Sequence, residues 1–336
     1  MAKLLQIIFL ALFACFTCVA DTFTLPPEDL DLIGGIGYTN ARKDDTLLDI
    51  ARRFDLGQDE IIEANPEVDR WLPGENTLVY LPKRYILPKA PRRGLVLNVA
   101  EMRIYYFPKP GKDQMPQVVT YPVSIGRMDW TTPLGTTRVV NKTTDPTWTP
   151  PDSIKAEHLA KGDPLPDVVQ AGPDNPLGRF AMRLGIPGYL IHSTNKPFGV
   201  GMRVSHGCIR MYPEDIERLF PEIEVGTPVV IMDEPIKLGW FADTLYVEAH
   251  PALEEYRISE EEALQKTLAR LESDFSIALL NLNGVVLRDA LQERRGVPVP
   301  ISRKPDTEAP KYVPDGDQSS QDNTQVNNSA NAEKPY

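Results

Sequence analysis

Leu95-Val96-Leu97-Asn98-Val99 and, after Ala100 to Met102, Arg103-Ile104-Tyr105-Tyr106-Phe107 are the residues on which the fold class turns. Apolar, β-branched and aromatic side chains with a period of two read as the two arms of a hairpin turning near residues 100–102. Downstream, further strands are expected at residues 117–125, 136–140, 188–192 and 228–232. The loops between them are dense in Pro and Gly, above all residues 145–178, where turn residues exclude regular structure. Residues 213–220 alone read as a helix here: Pro213 suits a first turn, and Glu214 and Asp215 favour its dipole. Many strands and so little helix make residues 95–233 a β-rich sandwich or barrel-like domain within a mixed α+β chain.

Upstream the period is 3.6. Asp45 or Thr46 caps a short helix through Phe54, with Leu47, Ile50, Ala51 and Phe54 on one face. A second helix fits residues 58–64, with Ile61 and Ile62 inward and Asn65-Pro66 ending it. A strand at residues 77–81 closes a unit spanning 38–82. Taken in order, Gly37-Tyr38, Asp45-Thr46-Leu47, Ile50-Ala51, Phe54, Ile61, Ala64-Asn65-Pro66, Leu72-Pro73-Gly74 and Val79-Tyr80-Leu81-Pro82 resemble a LysM carbohydrate-binding module. The resemblance implies a small βααβ domain that binds peptidoglycan glycan, although residues 39–43 depart from the family's apolar opening strand. A helical adaptor that only packs on the next domain would use the same residues. Residues 83–94, with Pro88, Pro91, Lys83, Arg84, Lys89, Arg92 and Arg93, read as a semi-rigid, positively charged linker.

After Trp240 the pattern becomes helical again, giving a short helical C-terminal extension over 240–300. Ser259 and Glu262 make a capping box before the stripe Leu264, Leu268, Leu271 and Phe275. Asn283 caps a second helix that carries Val286, Leu287, Ala290 and Leu291 and stops at Gly296. Both stripes read as core. Residues 303–336, rich in Asn, Gln, Ser, Asp and Pro, read as a disordered tail. At the other end Lys3, the apolar run 4–14 and Cys18-Val19-Ala20 read as a signal peptide over residues 1–20, too short to span a bilayer. If Leu12-Phe13-Ala14-Cys15 is instead a lipobox, Cys15 becomes a lipid anchor. No later stretch is apolar enough for a transmembrane helix, so the mature protein is expected to be soluble outside the cytoplasm. No internal repeat is seen.

With 47 acidic against 36 basic residues and a net charge of −11, the footprint of a nucleic-acid binder is missing. Hydrophobic residues at 42% and charged residues at 25% are globular values and exclude wholesale disorder. Three cysteines exclude a disulfide framework; Cys15 and Cys18 leave with the opening segment, and Cys208 is then the one thiol. It stands in Gly199-Val200-Gly201-Met202-Arg203-Val204-Ser205-His206-Gly207-Cys208-Ile209-Arg210-Met211, beyond Ile191-His192-Ser193-Thr194-Asn195. A free thiol titrates at about 8.5 and needs a base to be a good nucleophile; a neighbouring His lowers that value. His192, at a strand end that the glycine-rich return brings back to Cys208, can serve. So can His206, two residues away and on the same side of an extended segment. Gly207 admits a substrate carbonyl and leaves the N–H groups of Gly207 and Cys208 to face an oxyanion. Arg203 and Arg210 suit a substrate bearing a carboxylate. The bland readings are a buried structural thiol, or a zinc site of His192, His206 and Cys208. His158 and His250, in Pro-rich and polar contexts, read as surface residues.

His192 followed by Ser205-His206-Gly207-Cys208-Ile209-Arg210 resembles the signature of the L,D-transpeptidase (YkuD) catalytic domain. Thr132-Pro133-Leu134-Gly135 and Ala171-Gly172-Pro173-Asp174-Asn175-Pro176-Leu177-Gly178 resemble its Gram-negative periplasmic branch. The resemblance implies a YkuD-like β-sandwich and a periplasmic enzyme of cell-wall biogenesis. In the implied roles, the Cys208 thiolate attacks the third residue of a tetrapeptide stem, a diamino acid such as meso-diaminopimelate, and expels D-Ala. His192 acts as base and then acid, oriented by the carbonyl of Ser193. His206 and Arg210, with Gly207, Arg203 and Ser205, shape the donor site. An amine of another stem gives a 3–3 crosslink, the C-terminal lysine of an outer-membrane lipoprotein gives attachment, and water gives trimming. The implied chemistry uses no metal or organic cofactor, and its partners are stem peptides and glycan rather than nucleic acid. From other classes, a cysteine endopeptidase or amidase and a non-catalytic wall-binding adaptor share these residues.

Overall fold

A computed structural model of the chain describes residues 21–275 and 281–303. The expected signal peptide, Cys15 and the expected tail beyond residue 303 lie outside the described residues. The chain opens with β1 (Asp21–Thr24), β2 (Leu32–Gly34) and β3 (Gly37–Asn40), then α1 (Leu47–Arg53), α2 (Gln58–Ala64), β4 (Leu78–Leu81) and β5 (Arg84–Ile86). Thr46 caps α1: its Oγ1 accepts the Asp49 N–H at 3.1 Å, while Asp49 Oδ2 accepts the Thr46 N–H at 2.9 Å. The two helices and the turn between them bury Leu47, Ile50, Ala51, Leu56 and Ile61 against Val79 and Leu81 of β4, which pairs antiparallel with β3. This strand–helix–helix–strand unit has a core of its own. The stretch after it is not a spacer. β5 pairs with β2 through Leu32↔Ile86, and Tyr85, Ile86 and Leu87 are buried. Burial of these apolar side chains, together with the flanking Pro82 and Pro88, fixes the stretch against the fold.

The hairpin forms as β6 (Gly94–Asn98) and β7 (Arg103–Phe107). Alternation sorts its side chains into two cores. Leu95, Leu97, Ile104 and Tyr106 face the main core, while Val96, Tyr105 and Phe107 meet Ile33, Tyr85 and Leu87 on the other side. Cover on both faces explains why the arms read as nearly continuous apolar runs.

The chain continues through β8 (Gln117–Gly126), β9 (Gly135–Thr144), α3 (Asp152–Ala160), β10 (Phe180–Leu184) and β11 (Leu190–His192). After these come β12 (Arg203–Ser205), β13 (Ile209–Met211), α4 (Pro213–Glu222) and β14 (Pro228–Met232). Strand order is β8-β13-β11-β10-β9-β14-β6-β7, and β7 pairs back onto β8. Instead of the two separate layers of a sandwich, the sheet is one closed ring. The ten-residue strands β8 and β9 change neighbours along their length, β8 from β7 to β13 and β9 from β14 to β10, and so close the ring at either side. Closure leaves few exposed edges. The helix α3 lies inside 145–178, where turn residues were expected to exclude regular structure. They flank residues 152–160 without interrupting them, and Pro151 occupies the N-cap.

The C-terminal extension is not purely helical. β15 (Ile236–Phe241), β16 (Thr244–Ala249) and β17 (Val299–Arg303) form an antiparallel sheet, with α5 (Glu260–Phe275) and α6 (Gly284–Glu293) between the second and third strands. Leu271, Leu287 and Leu291 of the helices pack on Leu238, Leu245, Val247 and Ile301. Asn283 Oδ1 accepts the Val286 N–H at 3.2 Å to cap α6, which stops at Arg294 in the left-handed conformation, two residues before Gly296. A buried polar cluster ties this extension to the hairpin turn. Lys237 Nζ lies 2.7 Å from both Glu101 and Glu248, and Tyr105 donates to Glu101 at 2.9 Å. His250, read from sequence as a surface residue, belongs to this cluster, 2.8 Å from Glu248. Its carboxylate partners make its burial tolerable. No helix among the described residues is long and apolar enough to cross a membrane.

Candidate active site

Cys208 immediately precedes β13, which runs parallel to β11 with Ile191↔Ile209 and His192↔Arg210 in register. This pairing brings the thiol beside Leu190 and puts His192 further along the same neighbouring strand. The Sγ accepts the Leu190 N–H, and its S–H points to Gly188 O at 3.6 Å. The turn that delivers the thiol needs glycine: Gly207 has φ +98°, and a Cβ there would meet the Tyr189 ring at 2.7 Å. Ser205, wholly buried, braces this turn by accepting the Gly207 N–H at 3.1 Å and donating to Cys208 O at 2.5 Å. Thr132 Oγ1 adds a second brace, donating to Gly207 O and accepting the Gly126 N–H, each at 2.9 Å.

Several sequence expectations change on this geometry. The Gly207 N–H is committed to Ser205, so it is not a free oxyanion donor, and Ser205 supports the turn instead of lining a substrate surface. Left-handed Gly207 breaks the extended alternation, and His206 turns to Glu157 of α3, with Nε2 and Oε2 2.9 Å apart. The Trp130 ring meets His206 edge-on at 5.4 Å. Arg203 is also committed: both terminal nitrogens reach Glu255 at 2.9 Å, and Nε donates to Gly126 O. Arg183 of β10, paired opposite Leu190, takes its place as a second positive charge acting on the thiol beside Arg210. Sequence missed Arg183 because β10 was not foreseen, and missed Glu157 because α3 was not. His158, on the same helix, contacts Asp163 at 3.1 Å.

His192 is 3% exposed, and its Nδ1 lies 2.6 Å from Ser193 O. A carbonyl only accepts, so Nδ1 carries the proton and Nε2 keeps the lone pair. The Ser193 backbone is held close by Gly178 (φ +61°), where a Cβ would strike the Ser193 Cβ at 2.6 Å. Burial drives the imidazole down to about 3 and the Arg210 charge adds to this, against the carbonyls of Ser193 and Leu177. Burial also pushes the Cys208 thiol up, against the Leu190 N–H, Arg210 and Arg183. The resting pair is therefore a neutral thiol beside a neutral imidazole. In both groups desolvation penalises the charged form. His192, His206 and Cys208 do not converge as metal ligands. Among the described residues, the group that does is Glu101, Glu248 and His250, with ligand atoms within 4.8 Å, and Lys237 already bridges its carboxylates.

Residues 92–231 match the L,D-transpeptidase catalytic domain of the YkuD family. Over 308 residues the chain is 39% identical to an Escherichia coli protein described as "Probable L,D-transpeptidase YbiS", spanning 89% of this chain and 99% of that one. The chain belongs to the L,D-transpeptidase family. It is similarly 39% identical over 290 residues to the E. coli protein described as "Probable L,D-transpeptidase YcfS", with 84% and 89% of the two chains covered. To E. coli ErfK/SrfK it is 37% identical over 310 residues, with 88% and 95% covered. The NMR structure of the catalytic domain from an E. faecium L,D-transpeptidase aligns with TM-score 0.32 and 23% identity, over 43% of this chain and all of that one. The chain is thus an acyl-transferring enzyme, and the reading of a non-catalytic adaptor falls away.

Proposed function

We propose that the transpeptidase acts on peptidoglycan in the periplasm, with Cys208 as nucleophile and His192 as its base. The observation that carries this is the Nδ1–Ser193 bond, which leaves Nε2 of a neutral, buried imidazole as the acceptor on the strand next to the thiol. Binding of the stem peptide triggers transfer of the Sγ proton to His192 Nε2. The thiolate adds to the carbonyl of the diamino acid at position three, and the tetrahedral intermediate collapses as His192 returns the proton to the departing amine of D-Ala. An acceptor amine then attacks the thioester, His192 takes its proton, and the regenerated thiol receives it. Arg210 and Arg183 supply positive charge for the carboxylates of the stem. The acceptor is a stem-peptide amine or a lipoprotein lysine, with water as the hydrolytic alternative. The unit at residues 38–82 is assigned to glycan binding, a reading supported by its separate core and its exposed Trp71 and Leu72.

Incubating the protein with tetrapeptide muropeptides should give, by mass spectrometry, an acyl adduct on Cys208 with loss of D-Ala. No adduct on wild type, or an undiminished one in Cys208→Ala, refutes the assignment. Products with an added amine distinguish transfer from net hydrolysis.

A further inference from the structure

Glu157 has no place in the thiol chemistry above, yet four hydrogen bonds converge on its carboxylate. Oε1 accepts from Arg127 Nη1 at 3.1 Å and from Lys161 Nζ at 2.7 Å. Oε2 accepts from Arg127 Nη2 at 2.5 Å and faces His206 Nε2 at 2.9 Å. Arg127 follows β8 directly, and His206 is two residues from the nucleophile. Glu157 therefore joins the helix of the β9–β10 connection to both the turn after β8 and the nucleophile loop.

These donors hold the carboxyl well below the usual carboxylate range, so it is ionised and can only accept. The proton between Glu157 and His206 must then sit on Nε2. Burial pushes His206 below its ordinary value, with the charges of Arg127 and Arg210 acting the same way and Glu157 against them. The ring is neutral at pH 7, and its one remaining acceptor is Nδ1. The two histidines that precede the thiol in sequence thus carry opposite tautomers: Nδ1–H in His192 and Nε2–H in His206.

We propose that Glu157 is a positioning residue for acyl transfer: it fixes His206 in the Nε2–H tautomer, leaving Nδ1 to accept an N–H of the stem peptide, and clips α3 to the turn after β8. The effect on turnover rests on the reading of Cys208 as nucleophile; the tautomer does not.

Long-range proton–nitrogen correlation on protein labelled with ¹⁵N-histidine reads the tautomer directly, and the chain has only four histidines to assign. Wild type at pH 7 should show His206 with protonated Nε2 and bare Nδ1. In Glu157→Gln the amide can present either a donor or an acceptor, so the His206 tautomers should mix. Acylation by tetrapeptide should then fall about tenfold, chiefly through KM. Alkylation of Cys208 by iodoacetamide should change less than about twofold, since the small reagent does not need His206. A wild-type His206 that is charged or protonated on Nδ1 overturns the proposal, as does Glu157→Gln acylation within twofold of wild type. So does a pure fall in thermal midpoint with the tautomer unmoved. If wild type forms no adduct, the nucleophile assignment fails, and the nitrogen shifts still decide the role of Glu157.

Discussion

Two buried histidines of this molecule sit in comparable isolation from water and respond in opposite ways. His192, 3% exposed beside the thiol, faces two carbonyls and the charge of Arg210, and is driven down to about 3. His250, 7% exposed at the base of the extension, faces Glu248 and Glu101 and is raised above its ordinary value despite the desolvation and despite Lys237. Burial pushes any ionisable group toward neutrality, and the sign of the final shift depends on whether opposite charge is buried with it. At the candidate active site, burial shifts both His192 and Cys208 toward their neutral forms. In the other cluster Lys237, Glu248 and His250 are shifted toward their charged forms, and the ion pairs of Lys237 with Glu101 and Glu248 hold the extension to the ring.

The largest effects should come from removing the proposed base. His192→Ala should slow acylation of Cys208 about a thousandfold in a muropeptide assay. A loss below tenfold would mean that another group takes the thiol proton. Next in size, Lys237→Met strands two carboxylates in the interior and should cost about 3–5 kcal/mol in urea unfolding. Adding Glu101→Gln and Glu248→Gln to that variant should restore most of the loss. If it does not, packing rather than charge governs the cluster.

Acid titration sharpens the contrast further. An unfolded chain protonates His192 near 6.5 and the folded chain only near 3, so its contribution to stability is lost as pH falls through that window. At pH 4.5 the penalty should be about 3 kcal/mol relative to pH 8, and His192→Gln should abolish it. For His250 the sign is opposite: its stabilisation is complete below its ordinary value and lost as pH rises through the raised one, so His250→Gln should lose most at low pH. Equal slopes in the two variants would break the comparison. The smallest effect concerns Asp55 and Asp215, buried together where the helical unit meets α4, with the protonated Asp215 carboxyl donating to Asp55. Burial raises both; at Asp55 the hydrogen bond from Asp215 and then Arg103 oppose the rise, while at Asp215 the Asp55 carboxylate and then Glu214 reinforce it against Arg218, 4.0 Å away. A raised carboxyl loses stability as pH increases, so Asp215→Asn should gain about 1 kcal/mol at pH 8 and nothing at pH 4.

Local signals carried much of the architecture. The hairpin, the capped α1, the Asn283 cap and Pro213 at the head of α4 depend on neighbours a few residues apart and were legible directly. What failed depended on distant partners. β5 becomes a strand because β2 lies beside it, and β17 because β16 does. α3 was obscured by the turn residues around it, and Glu157 was lost with it. Arg183 becomes a neighbour of the thiol only through the register of β10 on β11.

By itself, the amino-acid order determined which groups can react: one thiol outside the opening segment, two histidines near it, and a glycine that lets the chain turn at the thiol. Their protonation states belong to the tertiary structure. Desolvation, opposed or reinforced by charges from remote strands and helices, sets each one. The same imidazole is therefore neutral at residue 192 and prone to be cationic at residue 250, and no local stretch of sequence encodes that difference.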